Sequence, residues 1–370
     1  MLMTSKERFW TAVNLQEPDR VPVAPYFVYF AGTLAGMSPS EFGWSVDKSH
    51  KALFETYERY NKEIDALHIM SMRFAYTGVF PSAYSTLYFD WAFPPGELPQ
   101  FVERGGKHSP EIYDKILEEG FTYLIEPERI NVEKIRAAYF EEAQCHKNWL
   151  KLWEQEDVVN LATGPMATIP ADLLIYARGS EGFLDLAEYP EKIIAVNEAM
   201  TPGIIALNKW QAREKKREHF YRISIQNFAA NFISPQMFER LCWPWMKKMI
   251  VEFLKDDCTV ILHLDGKWKP FYHFFQDLPE KRIIMELEFS DMKDAKKILG
   301  NMLCLKGNVP PQDLAFGTDD KIRDYCKQLI DDCACGGGFI LSSGCEVPVN
   351  AKPENIEAMI DTAISYGTYK

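Results

Sequence analysis

Short apolar runs alternate with longer amphipathic stretches along most of the 370-residue chain. Short apolar runs between turn signals read as buried strands, and stretches with a 3.6-residue apolar period read as helices. Eight runs qualify as strands: about 21–28, 65–70, 158–163, 220–227, 258–264, 282–288, 302–308 and 338–343. Helices are predicted over Pro235–Leu254, Ser290–Leu299, Asp319–Cys333 and Pro353–Tyr366. Ser234 is an N-cap candidate, with proline next at the first helical position. Eight strand-then-helix units predict an α/β fold, a (β/α)8 TIM barrel forming one domain over 1–370.

One stretch departs from the pattern. Residues 71–150, after the second strand, hold Pro81, Pro94, Pro95 and Pro99 among many aromatics. They predict an aromatic-rich insertion with a small hairpin at about 84–104 and helices near 109–119 and 131–155. An excursion from the end of a barrel strand is expected to cap the C-terminal face, where barrel enzymes keep their sites.

Composition narrows the function classes. The hydrophobic fraction is 47% and the charged fraction 25%, which is globular. The net charge of −12 repels phosphate backbones, so nucleic acid is not an expected partner. The basic cluster Arg213–Arg217 reads as the solvated face of a mixed-charge helix. No apolar run approaches the roughly 20 residues that span a bilayer, and the N-terminus turns charged at once. The expectation is a cytoplasmic protein off the membrane, its eight cysteines reduced. Cys333 and Cys335 form a C-x-C without a second pair at zinc-ribbon spacing, so they read as structural.

Strand parity locates the candidate chemistry, since residues two apart on a strand face the same side. His263 and Asp265 share a face at the end of V-I-L-H-L-D-G, as do Glu286 and Glu288 at the end of I-I-M-E-L-E. Cys304, Lys306 and Asn308 share one on the seventh strand, and Cys345 follows the eighth. Strands five to eight are neighbours in a barrel, so His263, Asp265, Glu288 and Cys345 are expected to converge at its top. Nitrogen, sulfur and carboxylate oxygen together suit Zn²⁺. The aromatic residues Phe27, Tyr29, Tyr76, Tyr84 and Tyr88 are candidate walls for a substrate pocket, though an ordinary aromatic core would use the same residues.

Several segments resemble the uroporphyrinogen decarboxylase superfamily. M-T-S-K-E-R-F-W-T-A-V with E-P-D-R-V-P-V resembles its opening helix and first strand. T-G-P-M-A-T, F-I-S-P-Q-M-F-E-R-L-C-W-P, V-I-L-H-L-D-G, L-K-G-N-V-P-P and F-I-L-S-S-G-C-E-V-P resemble later strands and their loops. The decarboxylase carries an arginine-rich loop after the first strand; here that place reads Y-F-V-Y-F-A-G-T-L-A-G-M, with no Arg or Lys. The resemblance is therefore closer to the zinc-dependent, corrinoid-linked methyltransferase branch. Its methylcobamide:coenzyme M methyltransferases bind zinc through H-x-C after strand five and a cysteine after strand eight. His263 and Cys345 match, whereas Asp265 stands where that group has Cys, and G-N-V-P-P replaces the usual G-N-x-D-P.

The resemblance implies zinc on His263, Asp265 and Cys345, with Glu288 as a fourth ligand that leaves when substrate binds and Cys304, inward on the adjacent strand, as the reserve. Gln226 and Asn308 would bond the substrate, and Lys306 would balance the carboxylates. It implies a small methylated substrate and a corrinoid (cobalamin) carried by a separate protein, since no D-x-H-x-x-G run is present. A homodimer is left open. A carboxylate ligand donates less charge than a thiolate, which favours demethylation of a methoxylated, aromatic ether. The alternatives are methylation of a thiol such as coenzyme M, a metal-free decarboxylase-like carboxy-lyase, and an inactive corrinoid-binding paralogue.

Overall fold

The computed structural model describes residues 2–70, 79–80, 87–88, 108–120, 144–145, 147–215 and 220–369. Its strands are β1 (Ala66–Leu67), β2 (Val79–Phe80), β3 (Leu87–Tyr88), β4 (Val159–Asn160), β5 (Met166–Ala167), β6 (Phe220–Ile225), β7 (Thr259–Leu264), β8 (Ile283–Leu287), β9 (Cys304–Val309) and β10 (Phe339–Ser343). Strands β5 to β10 form a six-stranded parallel sheet in chain order, and β1 pairs in parallel with β4. The extended segment 21–24 closes the ring. Val23 bridges Leu341 of β10 in parallel, and its carbonyl accepts the Asp65 N–H just before β1. The predicted TIM barrel is the observed architecture.

The third predicted strand, 158–163, is broken. β4 pairs with β1 on one side and β5 with β6 on the other, and the chain jogs between them. Gly164 sits in the jog, where a Cβ would lie 1.4 Å from the Phe220 carbonyl oxygen, so only glycine lets the backbone pass. The predicted helix Pro235–Leu254 is also two helices, Pro235–Leu241 and Trp243–Leu254, meeting at Cys242. Pro244 opens the second and has no N–H to continue the first. Ser234 does cap the first, accepting the Met237 N–H.

Each barrel strand contributes one side chain to a bottom layer: Ala24, Ala66, Leu161, Phe220, Ile261, Ile284, Cys304 and Ile340. The helix Ser5–Val13, capped by Thr4 and Glu7, plugs this end with Phe9, Ala12 and Val13. Arg8 of that helix bonds Asp19 and the fully buried Asp65, which also takes Arg20 and the Val23 N–H. These bonds seal the N-terminal end of the barrel and leave the C-terminal end of the strands for chemistry.

Most of the 71–150 insertion lies outside the described residues. β2 and β3 pair antiparallel, so the described part of the hairpin lies earlier than the predicted 84–104. The helix Ile112–Glu119 packs on the long helix Pro190–Lys215, and the Tyr113 hydroxyl donates to Asp185 at 2.5 Å. Trp149 donates to Asp47, and Trp153 packs on Phe54 and Tyr57, tying the end of the insertion to the helix Val46–Arg59. No helix among the described residues is long and apolar enough to cross a membrane.

Candidate metal centre

Two residues beyond each bottom-layer side chain, nearly every strand places a polar one facing inward: Tyr26, His68, Arg222, His263, Glu286, Lys306 and Ser342. Apolar side chains thus fill the closed end of the barrel and charged ones its middle. Burying charge is costly unless it is paired, and here it is. The Glu286 carboxylate lies 2.8 Å from Arg222, 3.0 Å from Lys306, 3.4 Å from His68 and 2.8 Å from His263 Nδ1. His68 Nε2 also lies 2.7 Å from Arg222, and the Tyr26 ring covers His68 at 4.1 Å and meets His263 edge-on at 5.9 Å.

Above this layer, His263, Asp265 and Cys345 come together at the mouth. One donor atom from each lies within 4.8 Å of the other two. His263 Nε2 is 3.2 Å from Asp265 Oδ1, and the Cys345 thiol donates to the same oxygen at 3.6 Å. The Gln226 side chain bonds Asp265 as well. Nitrogen, oxygen and sulfur donors converging in this way fit Zn²⁺ with a fourth position left over.

The electrostatics follow from burial and pairing. Burial disfavours a charged His263 ring, but Asp265 and the Cys345 hydrogen bond outweigh it and hold its pKa well above the ordinary value. Burial pushes Asp265 up, and His263, Cys345 and Gln226 bring it below its usual range. Burial raises the Cys345 thiol, with the Asp265 charge adding to the effect. Burial also opposes ionisation of Glu286, yet Arg222 and Lys306 hold it well below the carboxylate range. His68 falls to about 3 through burial and is neutral.

The remaining predicted residues divide. Glu288 accepts the Gly266 N–H at 2.8 Å and is not one of the three gathered donors, although its carboxyl feels the charges of Asp265 and His263. Asn308 is committed to the backbone, donating to the Glu288 and Ser290 carbonyls and accepting from Tyr325. It shapes the end of β8 and is not free to bond a substrate. Lys306 balances Glu286. Phe27 is fully buried against Phe30 and Tyr60, and Tyr29 packs on Phe42, so neither walls a pocket at the mouth. Tyr26, next to Phe27, has the inward parity instead. Tyr76 and Tyr84 lie outside the described residues, and Tyr88 is described only as part of β3. Cys304 sits in the bottom layer, below Lys306, where burial raises its thiol to about 12.

Sequence reasoning named Lys306 and His263 but missed Tyr26, His68 and Arg222. Their signal was available: each lies two residues past a small or apolar inward residue. Glu346 was also missed; it follows Cys345, accepts the Tyr29 N–H and is pushed by burial to about 7.

Asp172 supports the site from behind. It accepts the N–H groups of Gln226 and Asn227 and the Thr168 hydroxyl, fixing the end of β6 where Gln226 reaches Asp265. Burial raises its pKa from 3.8 to about 6, its hydrogen bonds offsetting only part of the rise. The folded state therefore binds this proton more tightly than the unfolded state. Stability from this group grows as pH falls from about 6 towards about 4, and above that range its ionisation costs on the order of 3 kcal/mol. Asp172→Asn is expected to remove that dependence. Urea unfolding of both proteins between pH 4 and 7 checks it; an unchanged gap between them across the range would refute it.

The family model for uroporphyrinogen decarboxylase (URO-D) matches residues 155–366, more than half of the chain. The chain belongs to the URO-D family. The matched span runs from the start of the third barrel strand to the last helix and contains His263, Asp265, Glu288 and Cys345. A uroporphyrinogen decarboxylase from Trichodesmium erythraeum (strain IMS101) is 29% identical over 138 residues, 36% of this chain and 37% of that protein. The methylcobamide:CoM methyltransferase MtaA of Methanosarcina barkeri is 25% identical over 137 residues, 37% of this chain and 38% of that protein. The chain thus aligns with little more than a third of the length of these curated relatives. A solved methyltransferase from Methanosarcina mazei superposes with a TM-score of 0.69 at 16% identity, covering 98% of this chain and 99% of the other, which establishes a shared fold.

Proposed function

We propose that this URO-D family protein is a zinc-dependent methyltransferase that moves a methyl group from a methoxylated, aromatic substrate to the cob(I)alamin of a separate corrinoid protein. The observation that carries the reading is the His263, Asp265 and Cys345 trio at the barrel mouth. A decarboxylase of a polycarboxylate needs cations facing its substrate. The segment after the first strand has none, and the buried Arg222 and Lys306 are already engaged with Glu286.

In the overall reaction the methyl–oxygen bond breaks and a cobalt–carbon bond forms with the electron pair of Co(I). The oxygen keeps the bonding pair and gains a proton. Zinc held by His263, Asp265 and Cys345 would supply a Lewis acid for that oxygen. The chain's own residues do the rest. Gln226 holds the Asp265 carboxylate, and Asp172 holds the backbone of Gln226. Glu288 is the fourth donor in this reading; one of its oxygens accepts the Gly266 N–H and the other would bind. Arg222 and Lys306 against Glu286 leave one surplus buried cation beneath the site, which favours a leaving group that becomes anionic. Tyr26 offers an aromatic wall beside His263. The corrinoid protein would dock on the face of the barrel that bears the trio.

The test combines elemental analysis of the purified protein with methyl transfer to cob(I)alamin, followed by absorbance. One zinc per chain and transfer from a methoxylated aromatic are expected. Zinc with transfer only to or from thiols would replace the ether reading with that of a methylcobamide:thiol methyltransferase. Absence of zinc would refute both.

A further inference from the structure

Glu286 enters the reading above only through its charge, yet four basic side chains surround its carboxylate in the barrel interior. It is 4% exposed, and each of its oxygens meets two groups. Oε2 lies 2.8 Å from His263 Nδ1 and 2.8 Å from an Arg222 terminal nitrogen. Oε1 lies 3.0 Å from Lys306 Nζ and 3.4 Å from His68 Nε2. We propose that Glu286 is the positioning residue of the metal centre: it accepts the Nδ1 hydrogen bond of His263 and so turns Nε2 of that ring toward Asp265 and Cys345. The inference rests on the metal reading above.

The geometry separates Glu286 from the ligands themselves. On β8 it lies two residues before Glu288, so its backbone is deeper in the barrel by about 6.6 Å. Both of its oxygens face the middle layer, while His263 spans the two levels. Nδ1 of the ring faces Glu286, its register partner on β8, and Nε2 faces Asp265 Oδ1, 3.2 Å away. An imidazole that gives its Nδ1 hydrogen to a carboxylate has one nitrogen left for a metal, and its ring plane is set by that bond.

The carboxylate is in turn immobilised by strands on both sides. Arg222 comes from β6 and Lys306 from β9, so a swing of Glu286 would break ion pairs to two strands. His68, from beyond β1 across the barrel, closes the remaining side under the Tyr26 ring. Orientation of His263 therefore depends on a network reaching around the whole interior.

The test must remove the carboxylate without stranding two buried cations. Glu286→Leu combined with Lys306→Met removes the accepting oxygens together with one cation and keeps the layer's net charge; Lys306→Met alone is the reference. Competition with a chromophoric chelator measures the affinity for zinc and for cobalt(II). The double variant is expected to bind both metals about 10- to 100-fold more weakly than the reference. Equal affinity would overturn the proposal while leaving the metal reading intact, whereas wild-type protein that takes up no metal would overturn both. A second measurement does not depend on variants folding: nitrogen-15 NMR of the histidine rings in wild-type protein loaded with zinc. The expected spectrum has the His263 ring with metal on Nε2 and a hydrogen on Nδ1. Metal on Nδ1 would refute the role of Glu286.

Discussion

Cys345→Ala is expected to leave the protein folded and without zinc. Only three donor atoms gather at the mouth among the described residues, and deleting one leaves a histidine and a carboxylate. Loss of an outer-shell partner typically weakens a zinc site about 10- to 100-fold, and loss of a thiolate ligand should exceed that. The fold should tolerate the change, because β10 is anchored by Ile340 and Leu341 in the core and by the carbonyl and amide bonds of Leu341 to segment 21–24. Cys304→Ala is the matched control. Its thiol lies in the apolar bottom layer, so zinc content should stay at the wild-type level. Elemental analysis after gel filtration, with circular dichroism to check the fold, reads the outcome. Full zinc in Cys345→Ala would sink the ligand assignment.

Asp265→Cys is expected to keep zinc and lose rate. A thiolate gives more charge to the metal than a carboxylate, so it would stabilise a developing phenolate or alkoxide less. Loss of one well-placed electrophilic contact typically costs on the order of a hundredfold in turnover or more. Metal affinity should hold or rise, since cysteine is a good zinc ligand. The same substitution also removes the oxygen that now accepts from Cys345 and faces His263 Nε2, so zinc content has to be measured beside the rate. Transfer from methoxylated aromatics to cob(I)alamin gives the rate. A zinc-replete variant as fast as wild type would show that Asp265 is merely an exchanged ligand, and the Lewis-acid argument would fail.

Much of the barrel was legible in the sequence, because strand-length apolar runs and helical periods are local properties. Parity along V-I-L-H-L-D-G places His263 and Asp265 on one face, and the position of Cys345 after the last strand brings it to the same mouth. The break at Cys242 was readable in principle from Pro244, which cannot donate to the preceding turn. Phe27 was misplaced by one register step, since its neighbour Tyr26 faces inward and one step along extended chain reverses the side, whereas Tyr29 opens the helix Tyr29–Leu34 and packs on Phe42.

By itself, then, the sequence determined which strands exist, which way their residues alternate and which donor types end them. Tertiary structure decided the partners. His68 and Glu286 meet across the barrel interior from strands that are not neighbours, and Arg222 and Lys306 close on the same carboxylate from opposite sides. The split between β4 and β5 likewise depends on the approach of Gly164 to a carbonyl of β6. Such contacts depend on how the sheet staggers as it closes, which is a property of the whole ring and of no single strand.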